Sequence, residues 1–196
     1  GNLTALVTAR HDARGKYPNV KRWAIACSNE AHSSIKSAAE VMDVDVVAIS
    51  TDKNHKLQGS AVAFDVDQYH RLNPDHRIFA IVATAGTTNL GIIDDLAGIG
   101  KAANDRSIWY HIDGAYGLAA LASPKTKPLF SGVELADSLI VDPHKWLFAP
   151  FDACALIYRN PKLAKRAHLQ KAAYLETLDE DDEWNPSDYA IHLTRR

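Results

Sequence analysis

The chain has 196 residues, of which 46% are hydrophobic and 23% are charged, and its formal net charge is −2. These values are typical of a soluble globular domain and argue against a disordered chain. A charge close to zero argues against a nucleic-acid-binding surface. No apolar run approaches the ~20 residues that a membrane-spanning helix needs. We therefore expect neither nucleic acid nor a membrane as a partner.

The two cysteines, Cys27 and Cys154, stand in apolar surroundings without the spacing of a disulfide framework. We expect two buried free thiols, with a single disulfide left open as the alternative. The first residues lack the basic and apolar regions of a secretory signal. These features together predict a cytoplasmic protein.

In chain order, the predicted elements alternate between helical and extended segments, which is typical of an α/β fold with a mostly parallel sheet flanked by helices. We expect one domain over residues 1–196, with Ser33 capping the second helix and Asp94 or Asp95 capping the fourth. The predicted helices are Leu3–Ala13, Ser33–Met42, Asp65–Leu72, Asp95–Asn104 and Pro161–Leu169. The predicted strands are Trp23–Cys27, Val44–Ser50, Ile78–Thr84, Ile108–Ile112, Ser138–Val141 and Ala153–Tyr158.

Polar residues follow four of these strands. His32, Thr84, Asp113 and Lys145 each lie at or just after the end of an apolar run. Because ligands of parallel α/β sheets bind beyond the carboxyl ends of the strands, we expect these side chains to share one site. One strand ending in polar residues means little, whereas four together predict a built site.

Each of these residues also has a plainer interpretation. Asp113, followed by Gly114-Ala115, leaves room for a cation to approach, but it is equally suited to a helix cap or a surface ion pair. Lys145 lies among apolar residues, where desolvation would favour the neutral amine that imine formation needs. By itself, a lysine more often extends to solvent. His32 and His144 considered alone are more often structural, hydrogen-bonded histidines.

A family resemblance favours the functional interpretation of these residues over the plainer one. The segment from Asp137 to Leu147, which contains Asp-Pro-His-Lys-Trp, resembles the lysine motif of the group II pyridoxal-dependent amino-acid decarboxylases. Three further motifs of that family are matched in the same order by Ala-His-Ser-Ser at 31–34, Ala-Thr-Ala-Gly-Thr-Thr at 83–88 and His-Ile-Asp-Gly-Ala-Tyr-Gly at 111–117. The resemblance covers nearly the whole chain. It implies the large domain of a fold type I enzyme that uses pyridoxal 5'-phosphate.

The resemblance also assigns roles to single residues. Lys145 would form the Schiff base with the cofactor, and Asp113 would pair with the pyridinium nitrogen. His32 would stack on one face of the ring and Ala115 would pack on the other. Thr84 would face the polar edge of the ring or the substrate carboxylate.

Three more assignments rest on the same resemblance. His144 would support the phosphate, and Asn2 would belong to the end of the phosphate-binding turn. Tyr174, about thirty residues after the lysine, would donate the proton to the substrate carbon, on a mobile catalytic loop at about residues 170–186. Asp142 stands where some family members carry Asn, and a second carboxylate near a phosphate is unfavourable unless it points away or pairs with a donor.

The resemblance further implies decarboxylation of an L-amino acid to its amine by a homodimer. Full-length members are more than twice as long, so we expect an N-terminal segment and a small C-terminal domain to be absent here. Trp146 and Phe151-Asp152 favour the aromatic branch of the family. Amine oxidation to an aldehyde, transamination, and a non-catalytic fragment stay open as alternatives. No dinucleotide-binding glycine motif follows a strand, and no zinc-hydrolase motif is present.

Overall fold

The computed structural model describes residues 1–169 and 186–190. Over these ranges, helices and strands alternate as predicted. The helices are α1 (Asn2–Lys16), α2 (Ser33–Met42), α3 (Gly59–Leu72), α4 (Leu96–Asn104) and α5 (Pro161–His168). The strands are β1 (Arg22–Ser28), β2 (Asp45–Ile49), β3 (His76–Thr84), β4 (Trp109–Asp113), β5 (Ser138–Val141) and β6 (Ala155–Tyr158).

The strands form one six-stranded sheet in the order β2-β1-β3-β4-β5-β6. Strands β1 to β5 are parallel, and β6 pairs with β5 in the antiparallel sense. This arrangement confirms the predicted α/β class. Because the connections of parallel strands cross over the sheet, the carboxyl ends of β1, β3, β4 and β5 meet at one edge.

Alternating side chains of the buried strands divide the core between the two faces of the sheet. On one face, Ala24 and Ala26 of β1 pack with α3 and α4 through residues such as Val62 and Ile99. On the other face, Ile25 packs with α1 and α2. Both faces are therefore covered by helices, which explains why the strands are continuously apolar.

Several local predictions need correction. Helix α3 begins at Gly59, six residues before the predicted start at Asp65. The side chain that caps α2 is His32, which accepts a hydrogen bond from the Ser34 amide, and Ser33 is the first helical residue. Asp95 does cap α4, by accepting from the Gly98 amide.

Three short 3₁₀ turns, Gly117–Ala122, Lys127–Phe130 and Val133–Leu135, fill the stretch before β5, where no element was predicted. A fourth spans Pro186–Tyr189. Cys27 is a buried free thiol, as expected, and burial raises its pKa to about 11. Cys154 is a free thiol as well, but it is exposed, so the expectation of burial is wrong for this residue.

Candidate active site

A cavity of about 460 Å³ opens at the carboxyl edge of the sheet. It is the place where ligands of parallel α/β sheets bind. Every predicted site residue that the structure describes lines this cavity: Asn2, His32, Thr84, Asp113, Ala115, His144 and Lys145. Tyr174 and most of the predicted loop at 170–186 lie outside the described residues. The structure thus brings the described residues together, while the roles assigned to them stay predictions.

The sheet itself places the central residues. Thr84 and Asp113 are the last residues of β3 and β4 and face each other in the parallel register. Lys145 lies in the turn that follows β5. That turn is joined to the loop after β4, because the Asp142 amide donates to the Ala115 carbonyl at 3.0 Å. Three neighbouring strands therefore deliver their polar ends to one cavity.

Asp113 is buried, and both of its carboxylate oxygens accept N–H donors. Its Oδ1 accepts from the Ala115 amide at 3.2 Å, and its Oδ2 accepts from Asn2 Nδ2 at 2.8 Å. This is the hydrogen-bond pattern of an ionised carboxylate, which only accepts. The Asn2 side chain is one of these donors, while its place at the end of a phosphate-binding turn stays a prediction.

The surroundings of Lys145 differ from the predicted apolar environment. Its side chain is 38% exposed, and its Nζ lies 3.1 Å from Oδ2 of Asp142. The apolar residues that follow, Trp146, Leu147 and Phe148, turn outwards and are 44%, 55% and 88% exposed. A second carboxylate near a phosphate was expected to point away or to pair with a donor. Asp142 does the latter, because it pairs with Lys145. The expectation of a desolvated lysine is wrong.

The two site histidines are held by local hydrogen bonds. His32 is exposed, and its Nδ1 lies 2.8 Å from Oγ of Ser34. His144 Nδ1 donates to the Ala153 carbonyl at 2.5 Å, and its ring meets Phe151 edge to face at 5.0 Å between ring centres. This bond turns the other ring nitrogen of His144 away from Ala153.

Two oxygens in this cavity have no partner among the described residues. They are Oγ1 of Thr84 and Oδ1 of Asp142, and both are buried. Buried polar atoms are normally hydrogen-bonded, so an orphaned pair in one cavity indicates a polar ligand. Together with the Asp113 carboxylate and the Lys145 amine, they fit a group that carries an aldehyde, a ring nitrogen and polar substituents, as pyridoxal 5'-phosphate does.

Asp94 accepts hydrogen bonds from the backbone near this edge of the sheet, and it is not among the predicted site residues. Its Oδ2 accepts from the Thr84 amide at 2.7 Å, and its Oδ1 accepts from the Leu57 amide at 2.9 Å. Burial raises the pKa of this carboxyl to about 6, against the lowering effect of these two hydrogen bonds. Asp94 fixes the backbone at Thr84 and leaves the Thr84 hydroxyl free.

His111 and Ser34 were also missed as site residues. His111 is fully buried on β4, two positions before Asp113, and its Nε2 lies 3.0 Å from Oδ1 of Asn2. Ser34 Oγ accepts from Nδ2 of Asn2 at 2.9 Å. A histidine two residues before an aspartate shares its face of the strand, and this spacing was the available signal.

Within residues 1–169 and 186–190, no group of three or more His, Cys, Asp or Glu side chains is placed to hold a metal ion. Over the same ranges, none of the helices has the length and hydropathy that crossing a bilayer demands.

The match to known proteins decides the family. The model of the pyridoxal-dependent decarboxylase conserved domain matches residues 2–196. The chain belongs to the pyridoxal-dependent decarboxylase family. This membership confirms the predicted family and the cofactor, pyridoxal 5'-phosphate.

Among curated relatives, an aromatic-L-amino-acid decarboxylase of Bacillus atrophaeus is 31% identical over 100% of this chain and 41% of its own length. The acidic amino acid decarboxylase GADL1 of Xenopus tropicalis is 33% identical over 94% of this chain and 39% of its own length. The chain thus spans about two fifths of the length of each of these two relatives.

Among solved structures, the 4-hydroxyphenylacetaldehyde synthase of Rhodiola rosea superposes with a TM-score of 0.86 at 27% identity, over 100% of this chain and 40% of that one. A mouse CSAD structure superposes with a TM-score of 0.86 at 26% identity, over 100% of this chain and 42% of that one. An Oryza sativa TDC structure with PLP and tryptamine reaches 0.90 at 23% identity, which shows the fold. These superpositions confirm the predicted fold type.

Proposed function

We propose that this protein is a carboxy-lyase that converts an L-amino acid to its amine with pyridoxal 5'-phosphate, and that the amino acid is aromatic. The observation that carries the proposal is the single cavity that holds Lys145, Asp113 and two orphaned oxygens at the carboxyl edge of the sheet. Family membership supports the decarboxylase class.

When bound, the cofactor supplies an electron-accepting ring, and the protein orients it and tunes its electronics. Asp113, held by N–H donors at both oxygens, presents a negative charge that favours a protonated ring nitrogen. Lys145 provides the amine for covalent attachment once its ammonium has lost a proton, and Asp142 Oδ2, 3.1 Å from Nζ, holds the lysine side chain in place. His32 and Ala115 both line the cavity. Tyr174 stays our prediction for the proton donor.

Two features support an aromatic substrate. Phe151 lines the cavity and is 84% exposed, so an aromatic ring could pack against it. Tyr116, which also lines the cavity, stacks on Trp146 with ring centres 5.2 Å apart and an interplanar angle of 10°. Several relatives are named aromatic-L-amino-acid decarboxylases, whereas GADL1 is named for acidic amino acids.

The activity test is a substrate screen of the purified protein with cofactor. Tryptophan, tyrosine, dihydroxyphenylalanine, phenylalanine, glutamate and diaminobutyrate are supplied in turn, and amine and carbon dioxide are measured. We expect amine and carbon dioxide in equal amounts from an aromatic substrate. Amine from glutamate alone would overturn the aromatic assignment, and cofactor binding without turnover of any amino acid would favour the non-catalytic alternative.

A second candidate reaction is oxidation of the amino acid to an aldehyde. It is favoured by the 4-hydroxyphenylacetaldehyde synthase of Rhodiola rosea, which is 28% identical over 99% of this chain. The same screen separates the two reactions, because the second consumes molecular oxygen and water and releases aldehyde, ammonia, carbon dioxide and hydrogen peroxide without amine. Replacing Tyr174 by Phe should shift a decarboxylase towards these products if Tyr174 is the proton donor.

We also propose that the protein is a homodimer. Trp146, Leu147, Phe148 and Phe151 expose apolar surface next to the cavity, and contiguous apolar surface of this kind marks protein interfaces. Phe148 has a positive φ of 54°, which asparagine tolerates, so Phe148→Asn removes the ring without backbone strain. Sedimentation should show a dimer that this change weakens, while Phe64→Asn, on the exposed face of α3, leaves it intact.

A cytoplasmic location is proposed as well, and the two free thiols, Cys27 and Cys154, support it. Fractionation of cells that express the protein tests this location.

A further inference from the structure

A continuous chain of hydrogen bonds leads through the core to the Asp113 carboxylate. Trp109 Nε1 donates to Ser138 Oγ at 2.9 Å, and Ser138 Oγ lies 2.8 Å from His111 Nδ1. His111 Nε2 lies 3.0 Å from Asn2 Oδ1, and Asn2 Nδ2 donates to Asp113 Oδ2 at 2.8 Å. All five residues are buried. The chain joins residues from α1, β4 and β5.

The chemistry of the end groups fixes the direction of every bond. Asn2 must turn its amide nitrogen to the Asp113 carboxylate, because an oxygen there would face another acceptor. Asn2 Oδ1 therefore faces His111, so His111 Nε2 carries the proton and donates it. Burial lowers the pKa of His111, although the Asp113 charge opposes this shift, so the ring is neutral and Nδ1 accepts from the Ser138 hydroxyl.

The same amide extends the chain to a second site residue. Asn2 Nδ2 also donates to Ser34 Oγ at 2.9 Å. The Ser34 amide donates to His32 Nδ1 at 3.2 Å, and Ser34 Oγ lies 2.8 Å from the same nitrogen. A nitrogen that accepts from an amide carries no proton in the neutral ring, so the Ser34 hydroxyl donates and the His32 proton lies on Nε2.

We propose that Asn2 and His111 are positioning residues for Asp113, and that the directed hydrogen-bond chain through them holds the Asp113 carboxylate in the orientation that recognises the ring nitrogen of the cofactor. This inference rests on the proposed function, since it assigns Asp113 to the ring nitrogen. Asn2 acts through Asp113, and His111 acts through Asn2 by locking its amide against rotation. The recognition of one ring atom thus depends on a side chain 111 residues away in sequence.

The test compares two ligands that differ at the ring nitrogen alone. Pyridoxal 5'-phosphate is one, and the other is its 1-deaza analogue, in which carbon replaces that nitrogen. We expect the wild-type protein to bind the natural cofactor at least about tenfold more tightly than the analogue, as a charge-assisted hydrogen bond provides. Asn2→Leu, which keeps the size of the side chain but removes the amide, should bring this ratio to about one.

Thr8→Val controls for general damage to the core. It removes buried hydrogen bonds from the same helix, away from the cavity, and should keep the wild-type ratio. If Asn2→Leu keeps the wild-type ratio, the inference is wrong and the proposed function stands. If the wild-type protein binds neither ligand, the proposed function fails.

A second measurement needs neither cofactor nor a stable Asn2 variant. Nitrogen NMR of the cofactor-free protein, labelled at its histidines, reports which ring nitrogen carries the proton, and His111→Gln identifies the His111 signals. We expect His111 at pH 7 to be protonated at Nε2 and unprotonated at Nδ1. A proton on Nδ1 would require the Asn2 amide to be reversed and would overturn the inference.

Discussion

Two polar clusters, each with one member on α1, differ in whether their buried hydrogen-bonding atoms find partners within the protein. The first, the site cluster, consists of Asn2, Thr84, Asp113, Asp142 and Lys145. Its members make specific hydrogen bonds and one ion pair, yet two buried oxygens, on Thr84 and Asp142, have no partner among the described residues. This cluster lines the cavity.

The second, the helix cluster, consists of Thr8, Tyr158 and His168. The Thr8 hydroxyl lies 3.1 Å from the Tyr158 hydroxyl and 2.8 Å from His168 Nε2, and it is 3.2 Å from the Thr4 carbonyl. None of its buried side-chain oxygens or nitrogens lacks a hydrogen-bond partner within the part of the chain that the structure describes. The helix cluster joins α1 to β6 and α5.

The difference separates polar groups that serve the fold from polar groups that serve a ligand. An unpaired buried polar atom costs about 1–3 kcal/mol, so a protein keeps one only where something compensates. In the helix cluster the partners belong to the protein itself. In the site cluster we expect the partners to arrive with the cofactor.

The largest expected effect comes from Lys145. Lys145→Ala should lower the decarboxylation rate by at least about 10³-fold, because a group that reacts covalently cannot be replaced by its neighbours. Borohydride reduction in the presence of cofactor should add no mass to this variant, whereas it should label the wild-type protein. Lys101→Ala, on the exposed side of α4, is the matched control and should retain full activity. An unchanged yield of labelled Lys145→Ala protein would show that the lysine is wrongly assigned.

The next effect concerns Asp94, which holds the backbone of the site cluster. Its pKa is raised from 3.8 to about 6, so the folded state binds a proton that the unfolded state releases between these values. This group therefore lowers stability as the pH rises from 4 to 6, by about 3 kcal/mol in total. Urea unfolding of the wild type and Asp94→Asn should show the variant gaining about that amount relative to the wild type over this interval. A constant difference would contradict the raised pKa.

The two threonines test the comparison directly. Thr8→Val removes a hydroxyl with three partners and should lower the free energy of unfolding by about 1–3 kcal/mol. Thr84→Val removes a hydroxyl with no partner and should leave stability unchanged or raise it by up to about 1 kcal/mol. Urea unfolding without cofactor measures both values. Equal losses would mean that the Thr84 hydroxyl is satisfied within the protein.

The same two substitutions should have the reverse order of effect on cofactor affinity. Thr84→Val should weaken the binding of pyridoxal 5'-phosphate by about tenfold, the value of one hydrogen bond to a ligand. Thr8→Val should leave the dissociation constant unchanged. The pair therefore separates a polar group kept for the fold from one kept for the ligand.

The sequence was most informative where chemistry follows from local pattern. The apolar runs predict all six strands to within two residues at each end, and the sequence pattern places the motif residues Lys145 and Asp113 at one edge of the sheet. The start of α3 was missed because its first turn, with Gly59 and Ser60, carries little apolar periodicity. The 3₁₀ turns are too short for an apolar periodicity that repeats over several helical turns, so the pattern did not predict them.

Contacts between residues that lie far apart in the chain could not be predicted from the local sequence pattern. The apolar residues beside Lys145 predicted burial, but they turn outwards, and a carboxylate three residues before it supplies the partner. Asn2 was assigned by its place in a motif, whereas its partners lie 32, 109 and 111 residues away. Such partners depend on how α1 packs on the sheet, and no local rule expresses that packing.

The smallest effect concerns His168 in the helix cluster. Burial lowers its pKa below the usual 6.5, with a smaller contribution from His11, so the folded state favours the neutral ring. The unfolded state then binds more protons as the pH falls below 6.5, and this histidine lowers stability in acid. His168→Gln keeps a polar side chain but does not titrate. The stability advantage of the wild type over this variant should therefore shrink as the pH falls from 7 to 5.

The pH dependence of stability due to Asp94 has the opposite sign, since acid neutralises its buried charge. In His168→Gln, acid should therefore cost less stability than in the wild type, and in Asp94→Asn it should cost more. Parallel pH profiles for the two variants would show that the clusters do not differ in their titration.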